Sequence, residues 1–592
     1  MPKQPLLKRF LIWRYRHISQ KNFVYILSMI VGLLAGLTAV TLKNLTFTIQ
    51  KAIEQGVLFS TTKYYFILPV IGLFLVYLIT KNLKKSAREF AIPSILYALS
   101  KKAGIIAKSK IYYPLILAPL TVGFGGSVGL LGPAVTSGTA LSSNLGKLLH
   151  VDRKTRTLLI GCAAAGAVSS IFKSPLAAII FAVEVFSLDL TFISLLPLLF
   201  ASVSAVITSY FFLGDDIIFN FTVTDGFKFN DIFFYVILGV FTGMASVYFT
   251  KMYFTIIGAF KRIKKRSQKL IIGGLAIGAM LYIIPPLYGE GFGFINSLLN
   301  GDHLAAIGKT PFDAYLDNIW VVIALLISIT VFKAVAMTTT FAAGGVGGIF
   351  IPTLVMGAAL GNGISKIINH LGLGIEVSET NFTLIGMGGL IAGVLHAPLT
   401  AIFLIAEITG GYELFLPLMI AISISFVISK NTLNYSIYTK ELLRKGELLT
   451  HDKDQSVLTI MSLDSVIEHN FVVLHPEMTL GQMVHDGVSK STRNLFPVTD
   501  EDCKLVGVIL LDDIREFMFN QSLYEETNVK DFMHGAADTI IYESDSMQKV
   551  MTKFQNSSAW NLPVIKDGKY YGFISKSKLL TAYRRQLINF TK

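Results

Sequence analysis

Charged residues are scarce in this sequence, and cysteines are almost absent. Asp, Glu, Lys and Arg make up only 15% of the 592 residues, whereas a soluble domain usually carries about a quarter. The two cysteines, Cys162 and Cys503, lie far apart, which indicates neither a disulfide framework nor a metal site. The low charge, together with a mean hydropathy of +0.59, excludes an ordinary soluble protein and indicates a membrane protein.

Long stretches without charge are the first positive feature of the sequence. The 21 residues from Asn22 to Leu42 carry no charge, and a helix needs about 20 apolar residues to cross a bilayer. The preceding segment, residues 1–21, contains six basic residues and is followed by no clear signal-peptide cleavage site. We therefore predict a multi-pass protein of the cell membrane with cytoplasmic N- and C-termini, because basic segments stay on that side.

The net charge of +14 fits loops that face anionic membrane lipid. No basic stripe with interleaved aromatic residues predicts a nucleic-acid partner. Asp302, His303 and His396 are isolated and form neither a catalytic triad nor a metal-binding pattern, so we interpret them as loop or cap residues. The sequence therefore predicts neither an enzyme nor a metal site.

The apolar part of the chain contains two ordered pairs of similar segments. Gly129-Leu-Leu-Gly-Pro133 is matched 219 positions later by Gly348-Ile-Phe-Ile-Pro352. Ser174-Pro-Leu-Ala, which leads to Glu184, is matched 223 positions later by Ala397-Pro-Leu-Thr, which leads to Glu407. Such internal repeats are typical of transporters and channels whose site lies where the repeats meet.

The Gly/Pro segments at 129–133 and 348–352 predict two helix starts inside the membrane. Glycine lets the backbone approach closely, and proline fits the first helical turn, where its missing N–H would be unpaired anyway. A helix N-terminus offers free N–H groups and a partial positive charge to an anion. Because such a site binds an anion without a full opposing charge, the anion can also leave it.

From about Asp452 onward, charges are frequent and no stretch could span a bilayer. Asn494-Leu-Phe-Pro-Val498 with the following Lys504–Ile514 segment is repeated as Asn561-Leu-Pro-Val564 with Lys569–Leu579. Each unit has the pattern of two strands, a turn and a helix start. The tail is thus predicted to be a β–α unit used twice.

These motifs together resemble the CLC family of chloride channels and chloride/proton exchangers with a C-terminal pair of CBS domains. The resemblance implies a mainly α membrane protein of two inverted repeats with broken and tilted helices, plus a cytoplasmic α/β tail. It also implies a homodimer with one chloride path per subunit. The implied domains are a basic N-terminus (1–21), a transmembrane domain (22–445), a linker (446–453) and two CBS domains (454–524 and 525–592).

The resemblance also implies which residues line the anion path. The third family segment, Gly-x-Phe-x-Pro, is present without change, and Tyr435 best matches the family tyrosine, with Tyr438 second. A tyrosine hydroxyl can donate to an anion. The implied path consists of Gly129, Leu130, Leu131, Gly132, Gly348, Ile349, Phe350, Ile351, Tyr435, Phe90, Ala91 and Ile92.

Three departures from the family pattern change the functional expectation. Leu131 occupies the position of the gating glutamate, and Val185 that of the internal proton glutamate. Neither side chain can carry a proton, so the leading prediction is a passive chloride channel without proton coupling. Phe90 replaces the serine whose hydroxyl would contact the central anion, and Leu131 could gate as an apolar plug.

Two alternatives stay open from the sequence. One is a chloride/proton exchanger with unusual proton carriers, and the other is a membrane sensor with vestigial transport that reads nucleotide through its tail. CBS pairs often bind adenine nucleotides, and Asp513 and Ser575 match part of that pattern. Leu510 and Lys578 break the pattern in the two halves, so a structural role such as dimer contact is at least as well supported. Fluoride is the less favoured anion.

Overall fold

The computed structural model divides the chain into two compact units, Met1–Glu447 and Leu448–Lys592. The structure describes residues 6–55, 66–81, 91–188, 191–214, 219, 226–308, 310–372, 376–444, 458 and 461–591. The predicted linker, 446–453, lies outside the described residues, and the predicted domain boundaries stay a prediction.

The first unit is built from helices. Its first half contains α1 (Leu6–His17), α2 (Gln20–Gln55), α3 (Leu68–Thr80), α4 (Ile92–Lys101), α5 (Ser109–Gly123), α6 (Leu131–Leu148), α7 (Arg153–Phe172), α8 (Pro175–Phe186) and α9 (Phe192–Leu213). Its second half contains α10 (Ile232–Lys261), α11 (Arg266–Ile283), α12 (Phe292–Leu299), α13 (His303–Ile307), α14 (Ile319–Ala343), α15 (Phe350–His370), α16 (Glu379–Leu395), α17 (Pro398–Ile408), α18 (Phe415–Thr432) and α19 (Ile437–Arg444).

Several of these helices have the length and composition of membrane spans. Within the described ranges, seven helices are long and apolar enough to cross a bilayer. They start near the beginning of the chain with α2 and end with the segment Phe415–Leu443. Shorter apolar helices, such as α8 and α17, lie between them. The predicted multi-pass membrane fold with broken helices is therefore confirmed.

The two halves of this unit repeat one packing pattern. In the first half α2 packs against α7 and α9, and in the second half α10 packs against α16 and α18. The ends of α7 and α16 also match, because Lys173 and His396 follow them in the left-handed conformation, with φ of 53° and 56°. Each is followed by one residue and then by the proline that opens α8 or α17. Left-handed residues commonly end a helix, and proline suits the first turn of the next one.

The second unit is an α/β tail with two β-sheets. Its strands are β1 (Ile467–Glu468), β2 (Leu495–Thr499), β3 (Leu505–Leu510), β4 (Ile540–Ile541), β5 (Asn561–Lys566) and β6 (Lys569–Ser575). Its helices are α20 (Leu480–Gln482), which runs on as a π-helix over Met483–Val488, α21 (Leu511–Ile514), α22 (Met547–Ser557) and α23 (Lys576–Thr591). One sheet has the order β1-β6-β5-β4 and the other pairs β2 with β3.

The tail also repeats itself, as the sequence predicts. Antiparallel β2 and β3 lead into α21, and antiparallel β5 and β6 lead into α23. Each half has its own apolar core, one around Phe496 and Ile509 and the other around Leu562 and Ile574. The early strand β1 pairs with β6, so that Ile467 lies opposite Ile574, and this pairing ties the two halves together.

Candidate functional site

The starts of α6 and α15 meet inside the first unit. The Gly129 N–H donates to the Gly348 carbonyl at 2.9 Å, and the Gly348 N–H donates to the Gly129 carbonyl at 2.6 Å. This is a single antiparallel bridge between two segments that lie 219 positions apart. The repeated Gly/Pro motifs are therefore neighbours in space as well as equivalents in sequence.

Glycine is required at this meeting point because backbone faces backbone. A Cβ atom added to Gly348 would lie 2.7 Å from the Gly132 nitrogen, and one added to Gly132 would lie 3.0 Å from the Gly348 Cα. A Cβ atom on Gly129 would lie 2.8 Å from the Cβ of Ile351. Any side chain would thus push the two helix starts apart.

The first turns of α6 and α15 carry the electrostatic character that the sequence predicts. Their hydrogen bonding begins with Ala134 N–H to the Leu130 carbonyl at 3.0 Å and with Thr353 N–H to the Ile349 carbonyl at 3.2 Å. The N–H groups before these have no acceptor within their own helix. Together with the helix dipoles, they leave partial positive charge where the two helices begin.

The side chains at these helix starts are apolar and buried. Leu131 and Ile351 are fully buried, and Leu130, Ile349 and Phe350 nearly so. The Phe350 ring packs against the rings of Phe172 and Phe181, with centroid distances of 5.4 and 6.1 Å. Leu131 is the first residue of α6, so an aliphatic side chain lies at the position for which the resemblance implies a gating acid.

Other predicted path residues lie at a third helix start and at the last turn of the unit. Ala91 is the extended N-cap of α4, Ile92 is its first residue, and Phe90 lies outside the described residues. Tyr435 is half-buried in the turn before α19, whereas Tyr438 is buried within α19. Helix α19, which follows Tyr435, packs against α4.

Glu290 was missed by sequence reasoning and lies at the start of α6. Its Oε1 accepts a hydrogen bond of 2.8 Å from the Leu130 N–H, across a separation of 160 residues. The carboxylate therefore lies beside Leu131, the neighbour of Leu130 in the chain. A lone acid between two glycines in an apolar region, Gly289-Glu290-Gly291, is the signal that could have drawn attention to it.

Lys333 was also missed, although it is the only charged residue of the 25-residue helix α14. Its side chain is fully buried. The ammonium group donates to the Leu287 carbonyl at 3.1 Å and to the Gly289 carbonyl at 3.0 Å. A lone charge within an apolar span is a functional signal in itself, and here it fixes the loop that carries Glu290.

Val185 is half-buried near the end of α8, and its neighbour Glu184 has a structural partner. The Glu184 carboxylate accepts from the N–H groups of Leu399 at 3.0 Å and Thr400 at 2.8 Å, at the start of α17. The Thr400 hydroxyl donates to it as well, at 2.6 Å. Glu184 therefore caps the equivalent helix of the other half.

The reverse contact is made by Glu407. This residue near the end of α17 accepts from the N–H groups of Leu176 at 3.0 Å and Ala177 at 2.8 Å, at the start of α8. Carboxylates satisfy unpaired N–H groups and favour the positive end of a helix. The two helices thus cap each other reciprocally.

The predicted nucleotide residues of the tail are engaged by the protein itself. Asp513 accepts a hydrogen bond of 2.8 Å from the Leu510 N–H and lies 3.5 Å from His534 Nε2. The Ser575 hydroxyl donates to Glu468 Oε1 at 2.8 Å, and Glu468 also pairs with Arg493 at 2.5 Å. The residues that match the nucleotide pattern therefore have structural partners.

The isolated polar residues of the first unit are caps, as predicted. Asp302 accepts from the Ala305 N–H at the start of α13, and His396 ends α16. Across the ranges that the structure describes, no three His, Cys, Asp or Glu side chains are grouped so that they could hold a metal ion.

Known protein families match both the helical unit and the tail of this chain. A family model described as voltage gated chloride channel matches residues 71–430, and a CBS domain model matches 463–520 and 529–585. A protein of Ralstonia nicotianae, named as a ClcB-like chloride channel, is 30% identical over 332 residues, which cover 55% of this chain and 73% of that protein. The H(+)/Cl(−) exchange transporter ClcA of Vibrio cholerae is 26% identical over 412 residues, which cover 67% of this chain and 84% of that one.

The fold is also similar to solved structures. The crystal structure of a slow cyanobacterial Cl−/H+ antiporter superimposes with a TM-score of 0.62 at 21% identity and covers 71% of this chain and 97% of that chain. At this identity the likeness concerns the fold. The predicted mainly helical membrane fold with an α/β tail is confirmed.

Proposed function

The chain belongs to the voltage-gated chloride channel family, CLC, and from that premise we propose that it is a passive chloride channel. The family transports chloride and its members are transporters, not enzymes. In this chain the ion path would run between the starts of α6, α15 and α4 and the turn that holds Tyr435. The N–H groups of these first turns would replace part of the water that chloride loses.

The buried Leu131 at the start of α6 is the observation that carries the passive mechanism. A leucine has no titratable group, so it cannot exchange protons while chloride passes. Val185, at the second family proton position, cannot do so either. Conduction without these acids would follow the chloride gradient alone.

Reconstituted liposomes test this proposal directly. With equal chloride on both sides and a pH gradient across the membrane, a passive channel gives no chloride movement and no proton movement. Uphill proton movement driven by a chloride gradient would contradict it. We expect Leu131→Glu to increase the pH dependence of chloride flux by about tenfold relative to wild type, whereas Leu131→Gln, which is polar but cannot ionise, should leave the pH dependence as it is in wild type.

Proton-coupled exchange is a second candidate, favoured by one observation. Glu290 supplies a carboxylate at the Leu130 N–H, so an acid is present at the start of α6 although Leu131 is not one. The Vibrio cholerae relative is named as an exchanger. The same liposome experiment separates the two mechanisms, because only an exchanger moves protons against their gradient.

The assembly and the tail complete the proposal. We infer a homodimer from the family to which the chain belongs, and cytoplasmic termini, which the six basic residues of the N-terminal segment support. A structural role for the tail is supported by the internal partners of Asp513 and Ser575. Isothermal titration with ATP and AMP tests this role, and micromolar binding would contradict it.

A further inference from the structure

Glu290 lies in the lining of a cavity and also contacts the start of α6. A cavity of about 390 Å³ is lined by Gln50, Pro285, Pro286, Tyr288, Glu290 and Phe292, among others. Gln50 belongs to the last turns of α2, so the cavity lies towards the end of α2 opposite to its N-terminus. The same carboxylate that faces this cavity accepts from the buried Leu130 N–H at 2.8 Å.

The loop around Glu290 is held from several sides. Lys333 donates to the Leu287 and Gly289 carbonyls, and the Ser127 hydroxyl donates to the Leu287 carbonyl at 2.6 Å. Gly291 has φ of 95°, and a Cβ atom there would lie 2.7 Å from Val355 of α15. The backbone of the loop is thus fixed against both α14 and α15, so loss of the hydrogen bond to Leu130 would require rotation of the Glu290 side chain.

Two cations act on the Glu290 carboxylate from different helices. Lys43 on α2 and Lys333 on α14 both attract it electrostatically. The Leu130 N–H adds a third favourable partner at the positive end of α6. A carboxylate in this place competes directly with any anion for the same partial charges, because both bind through N–H donors and positive potential.

We propose that Glu290 is the gate of the anion path and that it replaces, from a different part of the chain, the acid that Leu131 lacks. This inference rests on the proposed chloride path. With Glu290 ionised, its carboxylate holds the Leu130 N–H and excludes chloride. When the carboxylate takes a proton from water in the cavity, it becomes a neutral acid, releases the N–H and lets chloride bind there.

This gate differs from a simple helix cap in one respect. A cap stabilises α6 whether or not chloride is present, whereas a gate exchanges its hydrogen bond for the ion. Chloride binding should therefore be linked to proton uptake at Glu290. Because Val185 offers no acceptor for onward transfer, the proton would return to the same cavity, so that gating occurs without coupled transport.

The first experiment measures chloride binding to the full-length purified protein by isothermal titration calorimetry between pH 5 and 9. Buffers of different ionisation enthalpy report the protons taken up. The wild-type protein should take up about one proton per chloride near neutral pH and should bind chloride more weakly as pH rises. Glu290→Gln should bind chloride about tenfold more tightly than wild type at high pH, because its neutral amide resembles the protonated acid, and without proton uptake.

A matched control and a flux measurement complete the test. Glu54→Gln changes an exposed acid near the same end of α2 and should behave as wild type, while Glu290→Asp should retain the pH dependence. In liposomes, the flux of Glu290→Gln should no longer depend on the pH of the cavity side.

Proton uptake that persists in Glu290→Gln would overturn the gate, as would wild-type chloride binding that does not change with pH, or no chloride binding at all. If Glu290→Gln does not fold, the wild-type titration decides by its proton uptake alone. Uphill proton movement would instead contradict the passive channel and leave the gate in place, so the two failures are distinguishable.

Discussion

The pair α8 and α17 keeps the symmetry of the two halves, whereas the pair α6 and α15 breaks it. Glu184 and Glu407 cap each other's helices with matching distances of 3.0 and 2.8 Å. At the other pair, the Gly129–Gly348 bridge is symmetric, but the Glu290 carboxylate lies at the start of α6 alone. The contacts that hold the fold are thus repeated, and the contact that we assign to gating occurs once.

The largest loss of stability should come from disrupting the symmetric bridge between Gly129 and Gly348. Gly348→Ala places a Cβ atom 2.7 Å from the Gly132 nitrogen, where neither backbone can retreat without separating α6 from α15. Forcing extra volume into a packed core costs about 1–3 kcal/mol or more, and we expect the upper end here. Fluorescence-detected size-exclusion chromatography and thermal unfolding in detergent measure the loss.

Gly411→Ala is the matched control for this substitution. A Cβ atom at Gly411 meets no heavy atom within 4 Å, so the variant should behave as wild type. If Gly348→Ala were as stable as Gly411→Ala, the close approach of the two helix starts would be contradicted.

The sequence predicted where the repeated helices begin better than it predicted the contacts between them. Glycine and proline patterns mark helix starts locally, so the beginnings of α6, α8, α15 and α17 follow from short segments. The strand, turn and helix order of the tail follows from local patterns as well. The family resemblance then supplied the fold that joins these elements.

Contacts made through space between distant segments could not be predicted in this way. Glu290 meets the Leu130 N–H across 160 residues, and Glu407 meets Leu176 across 231. No local pattern specifies either contact, because each depends on how the helices pack. Only the isolation of Lys333 in an apolar helix and of Glu290 between two glycines was visible in the sequence, and these signals indicate importance without naming a partner.

An intermediate loss of stability should come from removing the charge of Glu184 or Glu407, which cap each other's helices. Glu407→Gln weakens two charge-assisted hydrogen bonds at the start of α8, and Glu184→Gln weakens three at the start of α17. Loss of a cap typically costs about 1 kcal/mol, and Glu184→Gln should cost somewhat more because of the extra bond from Thr400. Thermal unfolding in detergent, with the exposed Glu413→Gln as control, measures both.

The double variant with Glu184→Gln and Glu407→Gln tests whether the two caps contribute to stability independently. If the two caps act on separate helix ends, the double variant should lose about the sum of the two single effects. Neither variant should alter the pH dependence of chloride binding, in contrast to Glu290→Gln. A cap variant that changed this pH dependence would contradict the assignment of a structural role to the symmetric caps and of gating to Glu290 alone.

The smallest loss of stability should come from the tail, where one of two equivalent helix starts is preceded by an acid and the other is not. Thr479 and Ser546 are equivalent N-caps that open α20 and α22, but the residues before them differ, since Met478 in the first half corresponds to Asp545 in the second. Burial alone would raise the pKa of Asp545, but the hydrogen bond from Lys553 and that from the Ile541 N–H lower it below its ordinary value.

A lowered pKa in the folded state means that ionised Asp545 stabilises the tail above about pH 4, the ordinary aspartate value, and that this stabilisation is lost as pH falls through the folded-state pKa. Asp545→Asn should therefore lower the stability of the full-length protein's tail by about 1 kcal/mol at neutral pH. The difference from wild type should shrink towards zero below pH 4. Thermal unfolding of both proteins across this range measures it, and a difference that stayed constant with pH would show that the Asp545 charge does not contribute. Because Met478 cannot ionise, Met478→Leu should leave the pH profile unchanged. The titrating contact of Asp545, like the proposed gate in the membrane unit, would then belong to one repeat alone.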